Sequence, residues 1–156
     1  MRNEETPPNL KILEITYSNF VIARGLYTFA KLGIADLLGD RTLSSEELAA
    51  AAGVDPRALY RLLRTLSTAD VVTESQDHRF SLGPLGETLQ SDVPGSMRGW
   101  TIFSGEPYVL QAWEQIVYSI RTGQPAWDHV HKMPIFEYFG KHPEAEKIFN
   151  AAMTSL

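Results

Sequence analysis

The chain contains no cysteine. That excludes disulfides, thiolate metal sites and cysteine nucleophiles, and it suits a reducing compartment. Long apolar runs are also missing, since no stretch reaches the ~20 residues that a membrane-spanning helix needs. The opening Met1-Arg2-Asn3-Glu4-Glu5 is acidic and runs into Pro7-Pro8, which is not the basic-then-apolar pattern of a secretory leader. Together these absences point to a cytoplasmic protein. An excess of positive charge is lacking as well: 14 Lys and Arg stand against 19 Asp and Glu, a net charge of −5. Such a balance disfavours a phosphate backbone as partner. No Gly-x-Gly occurs, and no alternation of strands with helices. A doubly wound sheet that holds a dinucleotide or S-adenosylmethionine needs both. There is no Gly-x-Ser-x-Gly elbow and no legible Ser-His-Asp grouping.

What remains is a helical pattern. The 156 residues, 44% hydrophobic, suffice for one domain, or one with a small appendage. Residues 1–8 read as a disordered lead-in. From 9 to about 32 the spacing predicts a helix, opened by Asn9 as N-cap or by Pro8 in the first turn. Its apolar residues, among them Leu10, Leu13, Ile15, Tyr17, Phe20, Val21 and Leu26, do not keep to one stripe. A helix apolar around most of its circumference must be covered on more than one side. Either a second chain covers it, or it is the central helix of a larger core. Gly25 is the place where it would bend, and Gly33 fits a left-handed C-cap.

The next stretch is more specific. Ile34–Leu38 forms a short helix stopped by Gly39-Asp40. Ser44 or Ser45 caps a helix with Glu46 and Glu47 in its first turn and Gly53 at its end. Asp55-Pro56 opens a third helix, whose core face is Leu59, Leu62, Leu63 and Leu66. Val71–Glu74 and Arg79–Leu82 alternate as a hairpin, and Leu85–Leu89 reads as a short helix. Three helices and a hairpin in this order describe a winged-helix-like unit, so the fold class is mainly α with a small β-hairpin wing. Residues 9–90 thus hold the leading helices, which a second chain or a larger core must cover, and this unit, and residues 91–156 a helical extension of the same domain. That extension has helices over Ser96–Ser104, from Glu106 or Pro107 to about Arg121, over Pro134–Phe139 and from Pro143 onward, with a loop from Ala126 to Met133. The last helix carries no stop signal before Leu156, which reads as the front part of something longer or as a frayed terminus.

Candidate chemistry is sparse. His129 and His131 lie beside Asp128 at a spacing that could hold a metal, but no third ligand is evident, so no metal site is assigned. Nucleic acid is the usual partner of a winged helix. Here Arg57, Arg61 and Arg64 share one helix face, with His78 and Arg79 on the hairpin. Yet residues 40–90 carry five arginines and no lysine against eight carboxylates, a balance of −3. This argues against DNA binding.

Four stretches carry a family likeness: Ala30-Lys31-Leu32-Gly33-Ile34-Ala35-Asp36-Leu37-Leu38, Ala58–Leu66, Phe80-Ser81-Leu82-Gly83-Pro84-Leu85-Gly86 and Phe149-Asn150-Ala151-Ala152-Met153. In this order and spacing the chain resembles the N-terminal dimerisation region of class I S-adenosylmethionine-dependent O-methyltransferases, of the caffeic-acid and bacterial small-molecule type. The resemblance implies a homodimer through the N-terminal helices and a Rossmann-like catalytic domain elsewhere that binds S-adenosylmethionine. It implies no cofactor and no catalytic residue in this chain. It further implies a wall for a small aromatic acceptor, built from Phe149 and Met153, with Phe103, Trp100 and Trp113 as further candidates. Flat rings and a flexible thioether suit a planar phenolic molecule. All five could equally be core residues. The implied function is the dimerisation and acceptor-pocket segment of a small-molecule O-methyltransferase, incomplete alone. The alternatives are a winged-helix DNA-binding regulator and a stand-alone dimerising interaction protein.

Overall fold

A computed structural model describes residues 6–155. The chain opens with one uninterrupted helical run: α1 (Pro8–Leu13), a π-helical turn (Glu14–Ser18) and α2 (Asn19–Lys31). Pro8 takes the first helical position, where a missing N–H leaves no bond unmade. Of the expected lead-in, Thr6 and Pro7 lie in no element, Pro8 is already helical, and residues 1–5 fall outside the described residues. The expectation attached to Leu156 falls outside them too. At the π turn the Thr16 hydroxyl donates to the Ile12 carbonyl at 2.7 Å, a side-chain bond that competes with the regular ladder. The irregularity expected at Gly25 therefore sits about two to three turns earlier. α2 runs straight through Gly25, which is buried against α5: an added methyl would meet Leu66 at 3.1 Å and Leu62 at 3.3 Å. Gly25 marks a close approach, not a bend.

The next elements are α3 (Ile34–Leu38), β1 (Leu43–Ser44), α4 (Ser45–Ala52), α5 (Pro56–Ser67), β2 (Val72–Glu74) and β3 (Arg79–Leu82). Their boundaries follow local chemistry. The Ser44 hydroxyl accepts from the Glu47 amide at 3.2 Å, while the Glu47 carboxylate accepts from the Ser44 amide at 2.7 Å, a reciprocal capping box. The Asp55 carboxylate accepts from the Ala58 amide at 2.8 Å, with Pro56 first in the helix. Gly33 and Gly53 end their helices at φ 66° and 68°. The sheet is antiparallel with order β1-β3-β2, placing Leu43 opposite Phe80 and Val72 opposite Leu82. The two-residue β1 was not expected, because it is too short to show an alternation. Around this sheet the core closes on Phe29, Ile34, Leu38, Leu48, Leu63, Leu66 and Phe80, all fully buried.

The remainder is helical: α6 (Pro84–Glu87), α7 (Arg98–Gly105), α8 (Pro107–Glu114), α9 (Ile116–Thr122), α10 (Ala126–His131), α11 (Ile135–Lys141) and α12 (Pro143–Thr154). Two expectations are corrected. The helix expected to reach Arg121 is two helices, broken at Gln115 with φ −98° and ψ 17°. The expected loop from Ala126 to Met133 is mostly α10, opened after Pro125 and ended by Lys132 at φ 60°. Its covered side is Ala126, Trp127, Val130 and His131, an apolar stripe disguised by the two histidines.

α7 is wedged between α2 and α12. At its start a methyl added to Gly99 would come within 2.6 Å of the Ala151 carbonyl oxygen, and at its end one added to Gly105 would overlap the Tyr27 ring. Buried Glu106, next to that second contact, pairs with Lys31 and accepts from the Tyr27 hydroxyl at 3.2 Å. Arg24 donates to the Gly105 carbonyl at 2.8 Å. No helix among the described residues is long and apolar enough to cross a membrane. In urea denaturation, Gly105→Ala is expected to lose about 1–3 kcal/mol of stability through overpacking, and Ser44→Ala about 1 kcal/mol through loss of the cap. A neutral Gly105→Ala would mean that α2 and α7 are not held in contact.

Candidate aromatic wall on α7, α11 and α12

The α7 wedge determines which rings meet. Phe149 of α12 stacks on Phe139 of α11 with centroids 4.6 Å apart and planes 22° apart. Phe103 of α7 meets Phe149 edge-on at 5.5 Å, and Trp100 lies 6.1 Å from Phe103. Met153 sits one turn beyond Phe149. The assembly is open on one side, with Trp100 36% exposed, Met153 42% and Phe136 74%. Phe136 reaches Phe149 at 6.2 Å. Four of the five sequence-predicted site residues therefore share one region. Trp113 does not join them: it stands on α8, 64% exposed and in none of these ring pairs.

Phe136 and Phe139 were not singled out from sequence. Their i, i+3 spacing was visible, but nothing in it shows that α11 folds against α12. Behind the wall lies a second layer. Tyr108 is 6.5 Å from Phe103 and 6.3 Å from Trp127, and Trp127 is 5.9 Å from Phe139. The Tyr108 hydroxyl and the Trp127 indole N–H are buried without hydrogen-bond partners. Burial, with the Glu106 carboxylate adding to it, pushes the Tyr108 ionisation well above the ordinary tyrosine range. Nearby, His131 Nε2 donates to the Tyr108 carbonyl at 2.9 Å, and His129 stacks on Tyr118 at 3.9 Å. The two histidines thus serve separate partners. Among the described residues no group of three or more His, Asp or Glu is placed to hold a metal ion.

Two other chemistries can be tested against the geometry. The described strands are antiparallel and two to four residues long. They supply no parallel strand followed by a Gly-rich turn and a helix, so these residues do not fit the nucleoside of a methyl donor. On the hairpin side, Arg64 pairs with Glu74 at 3.5 Å and Arg79 with Glu47 at 2.9 Å. Glu74 also accepts from Tyr60 at 3.0 Å and lies 2.8 Å from His78. The His78 hydrogen bond is the chief reason that its carboxyl is held below the usual range. The neighbouring cleft, about 740 Å³, sets Arg57 and Arg61 beside Glu46 and Asp77. Such a surface is mixed in charge and unlike one that follows a phosphate backbone.

Comparison with known proteins gives a consistent result. Residues 15–92, half of the chain, match the family described as O-methyltransferase dimerisation domain. The 8-amino-8-demethylriboflavin N,N-dimethyltransferase of Streptomyces davaonensis is 43% identical over 134 residues, 85% of this chain and 39% of that protein. The crystal structure of LaPhzM superposes with a TM-score of 0.89 at 37% identity, over 96% of this chain and 45% of that one. The methyltransferase NcsB1 from neocarzinostatin biosynthesis, solved with S-adenosylmethionine and 2-hydroxy-5-methyl naphthoic acid, superposes at 0.71 with 27% identity, over 86% of this chain and 42% of that one. The chain thus spans about two-fifths of the length of the curated relatives it matches.

Tyr108 offers a direct check on the second layer. A tyrosine whose ionisation is pushed up in the fold holds its proton more tightly there than in the unfolded chain. Stability is then lost as pH rises through and beyond about 10, the unfolded value. Tyr108→Phe removes that loss and an unpaired buried hydroxyl. It is expected to be neutral or stabilising by about 1 kcal/mol at pH 8, with a larger gain at pH 11, in paired denaturation curves. A clear loss of stability at pH 8 would show that the hydroxyl is satisfied.

Proposed function

The chain belongs to the O-methyltransferase dimerisation-domain family, and from that starting point we propose that it pairs with a second copy of itself and gives a small-molecule methyltransferase one wall of its acceptor pocket. The observation that carries the pairing is the first helical run. Leu10, Ile12, Leu13, Ile15, Tyr17 and Phe20 are 49–65% exposed on consecutive turns. Scattered apolar residues on a surface need no explanation, but a contiguous patch of this kind calls for a partner. No residue of α1 or of the π turn is buried within the chain, so the cover must come from outside it.

The open face of Phe149, Met153, Phe103 and Trp100 supports the pocket reading. Edge-on and stacked rings beside a thioether make a flat, polarisable surface suited to a planar aromatic acceptor. Two relatives agree in kind: one is named for a flavin substrate, and another was solved with a naphthoic acid. On this reading S-adenosylmethionine is held by a separate catalytic domain, covalently attached or not. The chain's own contribution is to position the acceptor and exclude water.

Light scattering over a dilution series should give the mass of two copies at micromolar concentration, and a compact monomer there would remove the pairing. For the pocket, the chain should be joined to the catalytic part of the flavin relative. Phe149→Ala is then expected to raise the acceptor KM by about tenfold while leaving the donor KM unchanged. The reverse pattern would remove Phe149 from the pocket.

A further inference from the structure

The aromatic wall does not end at Phe149. On α11, Phe136 and Phe139 are three residues apart, yet Phe139 is 3% exposed and Phe136 74%. Phe139 covers one face of Phe149, stacked at 4.6 Å, whereas Phe136 stands edge-on to Phe149 at 6.2 Å with most of its own surface bare. A single exposed ring on a surface needs no explanation. This one continues a line of rings, Trp100, Phe103, Phe149 and Phe136, beside the open side of the wall. Gly140 lies one turn further along α11, on the same side of the helix as Phe136. A methyl added there would project into open space, so the surface next to Phe136 is an empty shelf.

α11 is also attached differently from its neighbours. Among the described residues no hydrogen bond or ion pair ties one of its side chains to another helix. Lys141 pairs with Glu137 within α11, and the Tyr138 carbonyl accepts from His142 Nδ1 at its end. The helix is held by rings, Phe139 on Phe149 and Tyr138 against Tyr108 and Trp127. Apolar contacts are less directional than hydrogen bonds, so α11 can shift in small steps to fit a guest.

We infer that Phe136 sets the size of acceptor that the wall prefers. A single ring is covered by Phe149, Phe103 and Trp100. A fused three-ring molecule on the same open side overhangs them, and its far ring meets Phe136 above the Gly140 shelf. The preferred guest is therefore extended and fused. Such a role rests on the acceptor pocket proposed above and adds to it the residue that discriminates between guests.

Benzoate, 2-naphthoate and 2-anthracenecarboxylate carry the same anion on one, two and three fused rings. Their dissociation constants are measured by titration calorimetry on the wild-type chain and on Phe136→Ala, Phe136→Tyr and Phe149→Ala. Phe136→Ala is expected to weaken the three-ring probe about tenfold and the one-ring probe by less than about twofold. Phe136→Tyr keeps the ring and should stay near wild type. A merely structural role for Phe136 would weaken all three probes together. That result, or a gain for the largest probe, would overturn the size role. So would an unchanged Phe136→Ala when Phe149→Ala weakens all three. If the wild type binds none of them, or Phe149→Ala changes no constant, the pocket itself has failed and the size role with it.

Discussion

The α7 backbone comes directly against the Ala151 backbone at Gly99 and against the Tyr27 ring at Gly105, with no side chain of its own in between. These two contacts hold α7 between α2 and α12, and the aromatic wall depends on them. Phe103 projects from α7 between the two glycines and reaches Phe149 only because α12 is drawn so close. The polar corner at Glu106 secures the other end. Its carboxylate, buried and paired with Lys31 and Tyr27, has lost most of its water and would be costly to leave without those partners. The helix that faces solvent along its first half is thus, in its second half, the anchor for the wall.

The sheet and the helices around it carry arginines without presenting a uniformly positive face. α5 offers an arginine face, and the hairpin stands beside it. The carboxylates of Glu47 and Glu74 engage Arg79 and Arg64, and the open cleft balances Arg57 and Arg61 against Glu46 and Asp77. Exposed pairs of this kind add little stability. Their effect is on the surface potential, which is mixed in sign across this side of the chain. The sheet and its surrounding leucines meanwhile supply the core on which the rest of the chain is built.

How much of this could be read from the sequence differs along the chain. The unit from Ile34 to Leu82 was legible almost residue by residue, because its boundaries are local: Ser44 with Glu47, Asp55 with Pro56, and glycines where the backbone turns left-handed. The second half was harder. α10 passed for a loop because His129 and His131 look polar in a string of letters, although one stacks on Tyr118 and the other bonds the Tyr108 carbonyl. The break at Gln115 has no proline or glycine to announce it. Phe149 and Met153 are marked by family likeness, and their i, i+4 spacing alone places them only on one face. The contacts of Phe136 and Phe139 with Phe149 arise only once α11 folds back on α12. Gly25 reads as a bend in the sequence and is a close contact in the fold, because a sequence does not show that Leu62 and Leu66 will arrive there.

The π turn at Glu14–Ser18 has a consequence of its own. A wide turn inside an otherwise regular helix amounts to one surplus residue in the count. It fixes the rotational phase between α1 on one side and α2 on the other. Winding the same residues as regular α-helix would swing Leu10 and Leu13 by about 100° relative to Phe29 and the core, whereas the π turn takes up that rotation locally. The direction in which the leading helix presents its oily side is therefore set by one irregular turn as well as by the order of its letters.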